Sequence, residues 1–195
     1  MSGVIYFPHI SEGWSDLPCR ITQAGGVSSL TFERYRDTNY FTYFFRYNQS
    51  DTLHLEWQMP HAWDKVQVRP HIHVEPQADP LLAQRIRFVG EYSWSQLNEA
   101  TPPLSGWTSF DVSRVINPGD VFKQTVVGLA LIIPPVDIAT SAILYLRVQN
   151  LPYVDGPEGN YSTNKDYGTV SANLMVSSID AHIRQVGLGT KTEFA

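Results

Sequence analysis

At 195 residues the chain is long enough for one domain with a full hydrophobic core. Charged residues are 17% and aromatics 12%, with 13 glycines and 13 prolines, which suits a turn-rich all-β protein with surface to bury between subunits. A net charge of −5 gives no electrostatic footprint for nucleic acid and excludes that class of partner.

A single cysteine, Cys19, excludes an intramolecular disulfide framework and any multi-cysteine zinc site. With no paired histidine motif beside it, Cys19 reads as a small apolar filler rather than a nucleophile. The opening MSGVIYFPHISEGWS has neither a basic n-region nor a long apolar run, so no signal peptide is expected. The longest apolar run, Val126 to Val136, contains Pro134 and Pro135 and is about half the length of a membrane helix. The chain is expected to be soluble, made in a reducing cytoplasm, with no membrane partner.

In chain order, residues 1 to 27 read as an irregular arm, broken by Pro8, Pro18 and Gly25-Gly26 but carrying Tyr6, Phe7 and Trp14. Strands are predicted over Ser28 to Tyr35 and over the aromatic Tyr40 to Tyr47, followed by an Asn48 to Asp51 turn. The clearest pattern is LHLEWQMPHAWDKVQVRPHIHVE, Leu53 to Glu75, two alternating strands around a Pro-His-Ala-Trp-Asp corner. Leu53, Leu55, Trp57 and Met59 share one face of the first strand. Val66, Val68, Pro70, Ile72 and Val74 share one face of the second, opposite Gln67, Arg69, His71, His73 and Glu75.

Arg85 to Trp94 is the next strand, with Gly90 marking a bulge or a close approach. Trp107 to Ile116 follows, ended by the turn Asn117-Pro118-Gly119-Asp120. Val121 to Ile133 and Ala142 to Gln149 are strands around the Pro134-Pro135 corner. Asn150 to Gly168 is a polar loop with Tyr153, Tyr161 and Tyr167. Thr169 to Val186 reads as one long strand with Ala172, Leu174, Val176, Ser178, Asp180, His182 and Arg184 on one face. About eight or nine antiparallel strands at roughly ten-residue spacing, without a convincing helix, predict a β-sandwich or jelly roll. The body spans residues 28–186, after the arm and before a tail at 187–195 that carries Phe194.

His71-x-His73-x-Glu75 puts three potential metal ligands on one strand face, the pattern a cupin-like metal enzyme would use. A cupin also needs a histidine shortly after a Pro-x-Gly type turn, and Phe122, Lys123 and Gln124 stand there instead. Two plausible ligands are too few, so no metal and no cofactor are expected. His61 in the corner reads as a histidine holding a tight turn. GxSxG is absent, and Gly25-Gly26-Val27-Ser28-Ser29 lacks the spacing and lysine of a phosphate loop. Glu56 and Glu75 form a carboxylate pair only if the fold brings them together. The expectation is a protein that is not an enzyme, and exposed aromatics without catalytic groups point to subunit contacts.

The run Pro60-His61-Ala62-Trp63-Asp64, then Val68-Arg69-Pro70-His71-Ile72-His73, resembles a signature of tailed-phage structural proteins, "LPH-x-W-(K/D) … (I/V)-x-PH(I/V)HW". The C-terminal segment from Ile179-Asp180-Ala181-His182 to Glu193-Phe194 is similar to that family's ending, "D-x-H-(Y/I)-x-x-D-x-x-GS-x-x-E-(Y/F)". Val74 stands for the usual Trp, Val186 for the usual Asp and Thr190 for the usual Ser. The resemblance implies a virion component made in the host cytoplasm: a capsid decoration or cement protein, or alternatively a minor tail, collar or fibre-attachment protein that could bind glycans through the tyrosine loop. The cupin-like metal enzyme is the third alternative. A homo-oligomer, a trimer by preference, would contact the major capsid protein or other virion proteins. Its subunit-contact candidates are Tyr6, Phe7, Trp14, Phe194, His71 and His73.

Overall fold

Alternating residues give a strand one dry and one wet face, and two sheets closed over their dry faces need no helix to complete a core. The computed structural model describes residues 13–22, 30–36, 38–46, 49–78, 84–96, 98–99, 103, 105–151 and 173–186. Among these, the strands are β1 (Gly13–Pro18), β2 (Arg20–Thr22), β3 (Thr31–Arg34), β4 (Phe41–Phe45), β5 (Thr52–Gln58), β6 (Trp63–Pro76), β7 (Gln84–Ser95), β8 (Thr108–Ile116), β9 (Thr125–Gly128), β10 (Ile143–Asn150) and β11 (Leu174–Gln185). Sheet A runs β3-β4-β11-β6-β9, with β1 added along the C-terminal half of β11. Sheet B runs β2-β5-β10-β7-β8, and every pairing in both sheets is antiparallel. The predicted all-β sandwich is what forms.

The core lies between the sheets. Leu55, Trp57, Phe88 and Leu144 from sheet B meet Phe45, Val68, Ile72 and Ile183 from sheet A, all essentially without solvent exposure. Two aromatic contacts cross the interface: Phe45 tilts against Phe88 at 5.2 Å, and Trp63 stacks on Trp94 at 5.5 Å. Trp57 carries a polar atom into this dry layer, and its indole Nε1 donates to the Leu17 carbonyl at 3.0 Å, which ties β5 to β1 across the sandwich. Gly90 is the close approach its position suggested. A Cβ there would lie 2.1 Å from the Arg147 carbonyl oxygen and 2.4 Å from the Phe110 ring, which covers the glycine from β8.

Four expectations are corrected. Residues 13–22, read as part of an irregular arm, form β1 and β2, because their edges complete both sheets; Pro18 and Cys19 make the corner between them. Val66 does not share the face of Val68 but is exposed. Lys65 adopts φ of 59°, the Asp64 carboxylate accepts the Val66 N–H at 3.0 Å, and this bulge shifts the register against β11. The predicted strand Val121 to Ile133 shrinks to β9, after which the chain continues along β6 by irregular bonds, Leu129 N–H to the Pro70 carbonyl and Ile132 N–H to the Val68 carbonyl. Within β11 a bulge between Val176 and Ser178 reverses the alternation, so Leu174 and Val176 face inward while Asp180, His182 and Arg184 lie on the other side from Ile179, Ala181 and Ile183.

Candidate functional site

Parity on β6 sends Ile72 and Val74 into the core and His71 and His73 out of it. The β11 bulge does the same for Asp180 and His182, whose inward neighbours are Ile179, Ala181 and Ile183. Antiparallel register then sets His71 directly opposite Asp180, Arg69 opposite His182, and Asp16 of β1 on the other side of His182. Three imidazoles and two carboxylates therefore meet on the outer face of sheet A.

His71 Nε2 contacts Asp180 Oδ1, and His73 Nε2 lies 3.7 Å from Asp180 Oδ2. The His71 ring sits 4.9 Å from that of His73 and 4.4 Å from that of His182. His182 Nε2 is 2.9 Å from Asp16 Oδ1. On its other side His71 turns Nδ1 towards its own strand, 3.4 Å from the Arg69 carbonyl oxygen. His71 is buried, Asp180 and His73 are mostly covered, and His182 and Asp16 open to solvent. Arg69, a guanidinium opposite His182 on this face, is drawn aside: it stacks over the Trp14 ring at 4.8 Å and bonds Gln67 Oε1. Next to His71, on β9, stands Gly128, where a side chain would meet nothing within 4 Å. A groove of about 530 Å³ opens there, with His71, His182, Arg69 and Leu131 on its walls.

The triplet His71, His73 and Glu75 shares a face, as alternation required, but it is not one site. Glu75 is engaged at the far end of the strand, accepting the Tyr35 hydroxyl and lying 3.6 Å from Arg36. Its place beside the histidines is taken by Asp180. Glu56 lies in sheet B and Glu75 in sheet A, so they form no carboxylate pair. His61 holds the β5–β6 corner to the chain before β10, with Nε2 2.9 Å from Ser141 Oγ. Cys19 packs against the core, and burial, with the Asp180 charge adding to it, pushes its thiol up to about 12, the behaviour of a filler.

Trp14 sits on β1, outward and half exposed over Arg69, rather than on a free arm. Tyr6, Phe7 and Phe194, and Tyr153, Tyr161 and Tyr167 of the predicted Asn150 to Gly168 loop, lie outside the described residues. Asp180, His182 and Asp16 were missed as site residues, although Asp180-x-His182 has the same outward alternation as His71-x-His73.

No protein-family model matches the chain, and no curated protein matches it. Among solved structures it is similar to TmCBM61, solved in complex with β-1,4-galactotriose, at 9% identity and a TM-score of 0.32 over 92% of this chain and 90% of that one. It is also similar to a non-crystalline-cellulose-specific carbohydrate-binding module, CBM28, at 9% identity and a TM-score of 0.35 over 86% and 87%.

Proposed function

We propose that this chain is a non-enzymatic structural protein of a tailed-phage virion, a capsid decoration protein that bridges and stabilises neighbouring subunits as a homo-oligomer, a trimer by preference. The observation that carries the reading is apolar surface at both edges of sheet A. At the β3–β4 edge, Phe32 and Phe41 are 59% and 52% exposed, stacked at 6.0 Å, with Tyr43 5.0 Å from Phe32. At the β9 edge, Leu131 and Ile133 are 59% and 61% exposed, beside Val126. Aromatic and aliphatic groups gathered this way suit burial against other chains. Patches at opposite edges of one sheet let a single molecule touch two neighbours, as a bridge between capsid subunits must. The phage-protein signature spans the same framework: Trp63 and Val68 build the core under β6, and Ile179 and Ile183 build it under β11.

Copy number per particle, by quantitative mass spectrometry of purified virions, is the test. A count comparable with the major capsid protein supports decoration. A few copies per particle would move the chain to the tail, collar or fibre attachment, and absence from particles would end the virion reading altogether.

A further inference from the structure

We propose that His71, Asp180 and His182 bind one divalent transition-metal ion of the zinc class on the outer face of sheet A, independently of the virion reading. Each residue offers one ligand atom, and the three atoms lie within 4.8 Å of one another. Small side-chain rotations bring such a set to the bond lengths of about 2.0–2.2 Å that zinc takes to imidazole and carboxylate. Two imidazoles and one carboxylate favour zinc over the hard cations, which take oxygen cages.

The buried contact between His71 and Asp180 marks where the ion goes. Asp180 Oδ1 is buried, and His71 Nε2 is in contact with it. In the tautomer whose Nδ1 proton is directed at the Arg69 carbonyl, His71 Nε2 offers its lone pair on the side of Asp180. A cation joins the imidazole to the carboxylate there: a proton does so in the metal-free chain, and a divalent ion that also draws on His182 replaces it. His182 has the matching support: Asp16 holds its Nε2, the carboxylate–histidine arrangement that leaves the opposite ring nitrogen as donor. His73 Nε2 lies 3.7 Å from the second Asp180 oxygen. The groove beside Gly128 gives the ion a path in and leaves room for a further ligand, water or a group from another chain.

Zinc chloride titrated into the metal-stripped full chain, followed by calorimetry and thermal melting, tests this. One equivalent should bind and raise the melting temperature, and Co²⁺ at the same site should give the visible absorption of a four-coordinate nitrogen–oxygen site. Asp180→Asn keeps the side-chain shape and should weaken binding by more than about 100-fold, whereas Asp16→Asn, acting through His182, should cost about 10-fold. His54→Gln, on sheet B, should leave binding unchanged. Absence of saturable binding would overturn the proposal, as would binding indifferent to both Asp180→Asn and His182→Ala. If Asp180→Asn does not fold, His182→Ala, at a half-exposed position, and the cobalt spectrum of the unaltered chain decide the matter.

Discussion

On the outer face of sheet B, cations and carboxylates pair off separately. Arg147 meets Glu91 directly across β10 and β7, Arg87 bonds Asp111 on β8 with Nε at 2.6 Å from Oδ1, and Arg147 also lies over the Trp107 ring at 4.5 Å. On the outer face of sheet A the cationic groups facing Asp180 and Asp16 are imidazoles. A guanidinium is always charged, so these pairs persist wherever their carboxylates are ionised. An imidazole is charged only when protonated, and otherwise presents a lone pair that a metal can take. The same pleat and register thus give one face of permanently charged guanidinium pairs and one whose imidazoles can take up a metal ion.

Both faces rest on one core, so the largest effect comes from breaking what they share. Trp57→Ala removes the largest fully buried side chain and its bond to Leu17, and should destabilise by about 4 kcal/mol, read from denaturant unfolding. Gly90→Ala attacks sheet B alone. Its Cβ would collide with a neighbouring backbone carbonyl, which cannot swing aside, and a loss of about 3 kcal/mol is expected. Retention of full stability in Gly90→Ala would mean that β7 and β10 are less closely apposed than described.

Asp51 tests a third connection, one that holds the β4–β5 turn to the end of β10. Its carboxylate, wholly buried, accepts the Arg46 N–H at 2.7 Å and the Arg46 guanidinium, while Asn150 receives the Asp51 N–H and donates to the Arg46 and Gln49 carbonyls. Asp51→Ala strands these donors and should lower stability by about 3 kcal/mol. The exposed Arg87–Asp111 pair should behave differently. A double-mutant cycle should give a coupling below about 1 kcal/mol, shrinking as salt is raised. Arg87 holds the Asp111 carboxyl below its usual range, so this small term is present above the ordinary aspartate value and lost as pH falls through the lowered one.

How much of this was readable before folding depends on distance along the chain. Leu53, Leu55, Trp57 and Met59 announced their buried face because alternation is local, and His71 and His73 announced theirs for the same reason. Asp180 and His182 alternate just as plainly, but nothing local places β11 beside β6, and the Val176–Ser178 bulge breaks the parity that would have been counted from Leu174. The site is a product of pairing between strands far apart in the chain, which periodicity within either strand does not encode. β1 was illegible for another reason: Gly13 and Pro18 bound a short segment with weak strand propensity, and the unpaired edge of β11 makes it a strand.

The smallest predicted effect distinguishes the histidines of the two faces. His54 on β5 is held below its ordinary value of 6.5, first by burial and then by the Arg147 charge across the register. The folded chain therefore binds that proton less readily than the unfolded one. Its contribution to stability is complete above about pH 6.5 and is lost as pH falls through the lowered folded value. Melting temperatures at pH 7.5 and 5.5, compared between the unaltered chain and His54→Gln in metal-free buffer, should show a smaller acid loss in the variant. An equal loss in both would mean that the proton on His54 does not set the acid sensitivity of the fold.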